Sequence, residues 1–462
     1  MARIEKKGIP TFSITRKGFM SAVSSGFLAM GLGSDVAQHE FPLDMFLPGS
    51  DLTPLEQNID ALVDGLTKWR PGKETQGHKS VKVTIEGNDY FDANKKLNLT
   101  FLKNKWGDGL PILPATEEQV NWILSGTDLP KDTIVGKVPP LGRVATVESL
   151  ATNLVMTGGR PEYLTVLIAV MKAFLDPLFR AVTVQTTTCS SYPVVIVNGP
   201  INRQIRLNSG YGCLGPDPSH PSGASIGRAL RLIQQNIGGA IPGSGTMALF
   251  GGPARYTNIV FAEDEIGLPL GWKPLSVEMG FPSGGNIVTI YSAATTSNVN
   301  AARSSTEKVA VETLNRLARI MAGNYGNIFG DFNNNSVPGI VLMPRGIAQG
   351  FAALGWSKDS IKAYLWENSK IPYEVIKSDS VVFATGQEIL RSYAREGAAW
   401  PLASEPKNIM IVIAGGEQAG HCYWLRYGPG PKNPVSAEIQ LPTNWAKLMK
   451  NAEGDLGTAQ LN

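Results

Sequence analysis

Apolar positions along the chain follow two spacings, and each predicts a different element. Leu55, Ile59, Leu62, Val63 and Leu66 share one helical face, and Thr53-Pro54-Leu55-Glu56 in front of them reads as a helix start with Thr53 as N-cap. Val309, Val311, Leu314, Leu317 and Ile320 predict a second amphipathic helix over 306–321. Further helices are expected over 146–156, 163–175, 226–236, 357–368 and 380–395, the second restarting at Pro161 after Gly158-Gly159. Short continuous apolar runs predict buried strands at 194–198, 258–262, 275–277, 339–343 and 409–414. Strands alternating with helices argue for mixed α/β layers.

The N-terminal part reads as a helix end, a turn at Gly8-Ile9-Pro10, a strand at Phe12-Ser13-Ile14 and a small-residue helix near 18–31. We therefore expect a partial α/β domain over 1–70, a polar linker or surface excursion over 71–100, and a main α/β or α+β body over 101–462 with room for two subdomains. Thr15-Arg16-Lys17-Gly18-Phe19-Met20 imitates an export signal with a basic pair, but the strand and turn around it favour a folded passage.

Composition narrows the class. In 462 residues, 43% are hydrophobic and 18% charged, with 50 Gly and 31 Pro, which describes a loop-rich globular chain. A formal charge of +3 without any block of like charge gives no footprint for nucleic acid. The most apolar stretch, 163–179, is interrupted by Lys172 and Asp176, so no membrane span is expected. Three scattered cysteines, Cys189, Cys213 and Cys422, fit a reducing, cytoplasmic compartment.

Several loops carry candidate chemistry. Gly415-Gly416-Glu417-Gln418-Ala419-Gly420-His421-Cys422 follows an apolar strand, where ligands meet open α/β sheets, and makes His421 the first catalytic candidate among four isolated histidines. The alternative is a tight strand exit. Cys189 in Thr186-Thr187-Thr188-Cys189-Ser190-Ser191 is either a buried structural thiol or a nucleophile, and no cation stands beside it in sequence. Arg228 and Arg231, one turn apart after the glycine-dense loop at Asn208, could form an anion site or a solvated basic face. Glu263-Asp264-Glu265 is a strand-end acidic cluster, a general base if buried and a solvated turn otherwise. Arg160 and Glu162 could face a cleft or pair structurally. No metal-ligand spacing, P-loop or HExxH occurs, and no pattern names a cofactor.

Trp106-Gly107-Asp108-Gly109-Leu110-Pro111, with Gly159-Arg160-Pro161-Glu162-Tyr163, Val197-Asn198-Gly199-Pro200-Ile201, Ile226-Gly227-Arg228-Ala229 and Ala414-Gly415-Gly416, resembles the UGSC family of selenoproteins and their cysteine forms over roughly residues 100–440. Glu5-Lys6-Lys7-Gly8-Ile9-Pro10-Thr11 and the Pro-rich passage before Thr53 are similar to the segment after the Sec/Cys motif of that family and of the glycine reductase B component. The resemblance implies thiol-based cleavage of a carbon–heteroatom bond in a small molecule. The Sec/Cys-Gly-Ser-Cys motif would lie just upstream of residue 1, so a small partner subunit is expected to carry it in a hetero-oligomer. On this reading Asp108, His421 and Cys189 are the catalytic candidates, and Arg160, Asn198, Asn208, Arg228 and Glu263 the substrate-binding ones. The alternatives are a self-sufficient hydrolase or hydratase using Cys189 or a metal, and a non-catalytic assembly subunit.

Overall fold

The computed structural model describes residues 1–29, 32–33, 35–47, 49–68, 82–323, 337–378, 397–428 and 433–457. Near the N-terminus β1 (Ser13–Arg16) pairs parallel with β2 (Gln38–Phe41), and the helices Met20–Ala29 and Ile59–Thr67 pack on this pair. Strand β1 is present as expected, but its faces are reversed from the apolar pattern: Ser13 and Thr15 point inward and Ile14 is exposed. Strand β2 had no apolar run to announce it.

Thr53 is not an N-cap. Leu52 holds that place in the short helix Thr53–Glu56, while the Thr53 hydroxyl and N–H both donate to the Asp51 carboxylate at 2.6 and 2.9 Å. Asp51 thus forms a local turn that competes with the expected cap, and the helix breaks before restarting at Ile59. The expected linker at 71–100 also contains structure: Tyr90–Asn104 form a fifteen-residue helix capped by the Asp89 carboxylate. Residues 69–81, and the helix expected at 380–395, lie outside the described residues.

A hairpin of β3 (Ile134–Val138) and β4 (Arg143–Thr146) precedes the main sheet. That sheet contains β5 (Tyr192–Asn198), β6 (Ile259–Ala262), β7 (Ile287–Asn300), β8 (Gly339–Met343), β9 (Met410–Ile413), β10 (His421–Tyr427) and β11 (Val435–Glu438). Its order, β6-β5-β7-β10-β8-β9 with β11 beside β7, is a palindrome of two triplets. In each triplet a strand pairs parallel on one side and antiparallel on the other: β5 with β6 and β7, β8 with β9 and β10. The antiparallel β7–β10 pair joins the halves.

Strand register decides which core each residue enters. Val195, Val197, Val288 and Ile290 face the helices Val147–Met156, Pro161–Leu175 and Ser222–Asn236. Val341, Met343, Ile411 and Ile413 face Glu307–Gly323, Arg345–Ala353 and Lys358–Asn368. The opposite face of both triplets, with Ile196, Phe261, Tyr291, Leu342 and Val412, forms one shared inner core. The sheet curls around that core until its outer strands meet: Asp264 N–H, just past β6, donates to the Ile413 carbonyl of β9 at 2.7 Å.

Arg345, just after β8, closes this seam. Its guanidinium grips Asp264 in a fork, Nε to Oδ2 at 2.9 Å and Nη2 to Oδ1 at 3.0 Å, and reaches the exposed Glu417 at 2.8 Å. Removing one partner of so buried a pair leaves the other charge stranded. Arg345→Gln is expected to destabilise the chain by about 3 kcal/mol in urea denaturation, whereas Glu417→Gln should change it by less than about 1 kcal/mol.

Candidate functional site

The helix Tyr90–Asn104 ends at Lys105 in the left-handed region, and the chain turns into Trp106-Gly107-Asp108-Gly109-Leu110-Pro111. That loop is fastened to the helix Ser222–Asn236. Arg228 donates Nε to Asp108 Oδ2 at 2.7 Å and Nη2 to Asp108 Oδ1 at 3.0 Å and to the Pro111 carbonyl at 2.9 Å. Gln235 Nε2 holds the Gly107 carbonyl at 3.0 Å. Both anchors lie in the body of the helix, so Arg228 is not at a helix start as the sequence suggested.

Between loop and helix lies a cavity of about 680 Å³ lined by Trp106, Asp108, Arg231, Gln235, Thr246 and Arg255, among others. Two of these are cations, Arg231 buried and Arg255 half-buried. Among the described residues Arg231, 7% exposed, donates only to the Ala240 carbonyl, at a long 3.3 Å. Arg255 donates to the Ser191 carbonyl and to Thr246 Oγ1, each at 2.8 Å. Among the described residues neither guanidinium meets a carboxylate within ion-pair distance, because Arg228 holds Asp108. Burial, with repulsion from Arg255 added, pushes Arg231 down to about 10, and Asp108 only partly offsets this. Burial also lowers Arg255. Gln235 Oε1, on the same wall, is buried without a donor.

Such a site suits an anion. A folded-state value near 10 for a guanidinium means that the fold disfavours its charged form at every lower pH, at a cost on the order of 3 kcal/mol. A bound carboxylate or phosphoryl group would remove that cost, and Gln235 Oε1 could accept from a ligand hydroxyl or amide.

Cys189 stands beside this site rather than alone. Burial raises its thiol above the ordinary range, while Arg255 and Arg426, distant in sequence, pull it down. Cys213 and Cys422 are buried more deeply and pushed up to about 12. The cations missing next to Cys189 in sequence are therefore supplied by the fold.

The acidic cluster is the clearest correction, since it is no solvated turn. Glu263 is fully buried and Asp264 7% exposed at the carboxyl end of β6, where Asn198 Nδ2 donates to Glu263 Oε2 at 2.8 Å and to Glu265 Oε1 at 2.9 Å. Burial raises the Glu263 carboxyl, with Lys358 opposing. Leu275-Ser276-Val277 is likewise not a strand: Leu275–Glu278 form a short helix behind Pro274, and Leu275 N–H donates to Glu263 Oε2 at 2.6 Å.

Other candidates are committed to local structure. Asn208 donates to the Tyr211 carbonyl and to Asp217, and its Oδ1 accepts from Gly210 N–H, so it braces its loop. Arg160 pairs with Glu162 at 2.5 Å and with Asp455 at 2.8 Å, tying the helix Pro161–Leu175 to Trp445–Leu456. His421 is exposed at the start of β10, contacts Asn298 at 3.1 Å and lines neither large cavity. The two glycine loops do meet: Gly415 N–H donates to the Ser209 carbonyl, and Tyr211 lies against Gly416.

Sequence reasoning missed Arg255, Gln235 and the pair His220–Asp217, whose signal is spatial only. Two motifs resemble known signatures without their context. Gly223-Ala224-Ser225-Ile226-Gly227 has nucleophile-elbow spacing but lies inside a helix, with buried Ser225 donating to the Thr157 carbonyl. Gly227 is needed there for packing, since a Cβ would sit 1.9 Å from the Thr257 carbonyl. Gly210 to Gly215 has dinucleotide-loop spacing, but the next helix begins only at Ser222. Among the described residues no cluster of three metal-ligating side chains occurs, and no helix is long and apolar enough to cross a membrane.

Native-state alkylation should modify Cys189 first, with a rate still climbing above pH 9 because its thiol is raised. Arg255→Gln removes an opposing charge and should slow the reaction at pH 8 several-fold; an unchanged rate would show that the guanidinium does not act on the thiol. The chain matches no protein-family model, no curated protein and no solved structure.

Proposed function

We propose that this chain is the pocket-forming subunit of a thiol-dependent enzyme acting on a small anionic molecule. The observation that carries the reading is the pair of guanidiniums without a carboxylate partner among the described residues, buried Arg231 and half-buried Arg255, facing a cavity under the Trp106–Pro111 loop. The substrate's anionic group sits between them, and Asp108, held by Arg228, positions the loop over it.

The thiol comes from a small partner subunit with a Cys- or Sec-Gly-Ser-Cys motif. It attacks a substrate carbon; a sulfur–carbon bond forms, the carbon–heteroatom bond breaks, and its electron pair leaves with the heteroatom. The mouth of the cavity supports a covering chain, since Phe250 is 90% exposed and Leu249, Tyr256 and Leu102 are exposed around it. A second reading uses Cys189 as the thiol. Arg255 favours it by acting on both the cavity and Cys189.

Calorimetric titration with phosphate and acetate tests the binding step. Arg231→Gln and Arg255→Gln should each weaken binding at least tenfold, about 1.4 kcal/mol, while Arg231→Gln should stabilise the ligand-free chain by about 1 kcal/mol because it deletes an uncompensated buried charge. Anion binding that survives both substitutions would sink the reading. Turnover by the chain alone, abolished by Cys189→Ala, would move the thiol from the partner to Cys189.

A further inference from the structure

A second cavity, about 700 Å³, opens where the carboxyl ends of β5 and β6 leave the sheet. Its floor is acidic. Asp264 is held by Arg345. Glu278 is held by Lys362 at 2.6 Å and by Lys358 at 2.9 Å. Glu263 meets Lys358 only at 3.6 Å, through Oε1. Glu265 Oε1 accepts from Asn198 Nδ2 and from Gly199 N–H at 2.6 Å, both neutral donors. Among the described residues Glu265 thus lines the cavity without a cation, while Arg345, Lys358 and Lys362, outside the lining, serve Asp264, Glu263 and Glu278.

Behind Glu265 the floor is short of hydrogen-bond donors among the described residues. Glu263 lines this cavity with no exposed surface, and its Oε1 accepts no hydrogen bond; Asn198 Oδ1 behind it is also buried without a donor. A buried acceptor without a donor is costly to keep. The backbone preserves the arrangement. Gly199 adopts φ +98°, and a Cβ there would lie 2.4 Å from the Gly285 carbonyl, so only glycine brings this N–H onto Glu265.

The opposite wall has the other polarity. His220 is fixed by Asp217, Nδ1 to Oδ2 at 2.5 Å, and Asp217 is itself held by Asn208 and by Ser219 N–H. Arg206 donates to the Leu456 and Gly457 carbonyls, and Arg203 stands exposed at the rim. A ligand spanning the pocket therefore presents a cationic donor to the floor and a polar or anionic group to the rim.

We infer that this pocket is a second ligand site, which takes a small aminoalkyl compound with its protonated amine on Glu265, above the buried Glu263. It lies apart from the cavity of Arg231 and Arg255 and stands independently of the function proposed for that cavity.

Ligand-observed NMR titration of the full chain at pH 8 with ethanolamine, and with ethylene glycol as a neutral molecule of the same size, tests it. Ethanolamine should bind at least tenfold more tightly. Glu265→Gln should abolish that preference while keeping the fold, since Glu265 is only partly buried. Arg231→Gln should leave the preference intact, which separates this site from the anion cavity. No saturable binding of ethanolamine, equal binding of the two probes, or a preference that survives Glu265→Gln would each overturn the inference.

Discussion

The bidentate pair between Arg228 and Asp108 organises the cavity under the Trp106–Pro111 loop. It pins the Trp106–Pro111 loop to the helix Ser222–Asn236 through two parallel hydrogen bonds, with the Pro111 carbonyl as a third contact. It also decides the electrostatics one turn further on. Because Arg228 engages Asp108, buried Arg231 and half-buried Arg255 have no carboxylate partner among the described residues. The loop's position and the site's unbalanced charge therefore have one origin.

The curled sheet explains where the acidic-floored cavity falls. Two strand triplets of matching topology meet at β7 and β10 and again at the seam between Asp264 and Ile413. The carboxyl ends of β5, β6 and β9 gather loops near that seam, and such ends are where α/β sheets leave room for ligands. The cavities differ in what is left unpaired among the described residues: Arg231 and Arg255 lack a carboxylate partner in one, and Glu265 lacks a cationic partner in the other. Folds retain uncompensated buried charge mainly at sites of function.

Much of the fold could be read from local pattern. The apolar runs at 194–198, 339–343 and 409–414 are strands because both faces of the sheet are covered, and the face at 309–320 is a helix packed on the second triplet. Reading failed where tertiary pairing overrode pattern. Strand β10 was hidden behind the glycine loop that drew attention to His421, and β2 has only Phe41 as a large apolar residue. The site was half legible. Asp108, Arg228, Arg231 and Glu263 were visible as motif or cluster, but whether Arg231 is a solvated face or an anion site depends on which carboxylate reaches which arginine. Arg255 reaches the cavity from a short turn with no motif of its own.

The central claim is that a small anion sits between Arg231 and Arg255. Crystals of the chain grown with selenate, and measured at the selenium edge for anomalous signal, test it most directly. The account predicts an anomalous peak within hydrogen-bonding distance of both guanidiniums, beneath the Trp106–Pro111 loop. A cavity without that peak, with either arginine paired to a carboxylate instead, would contradict it.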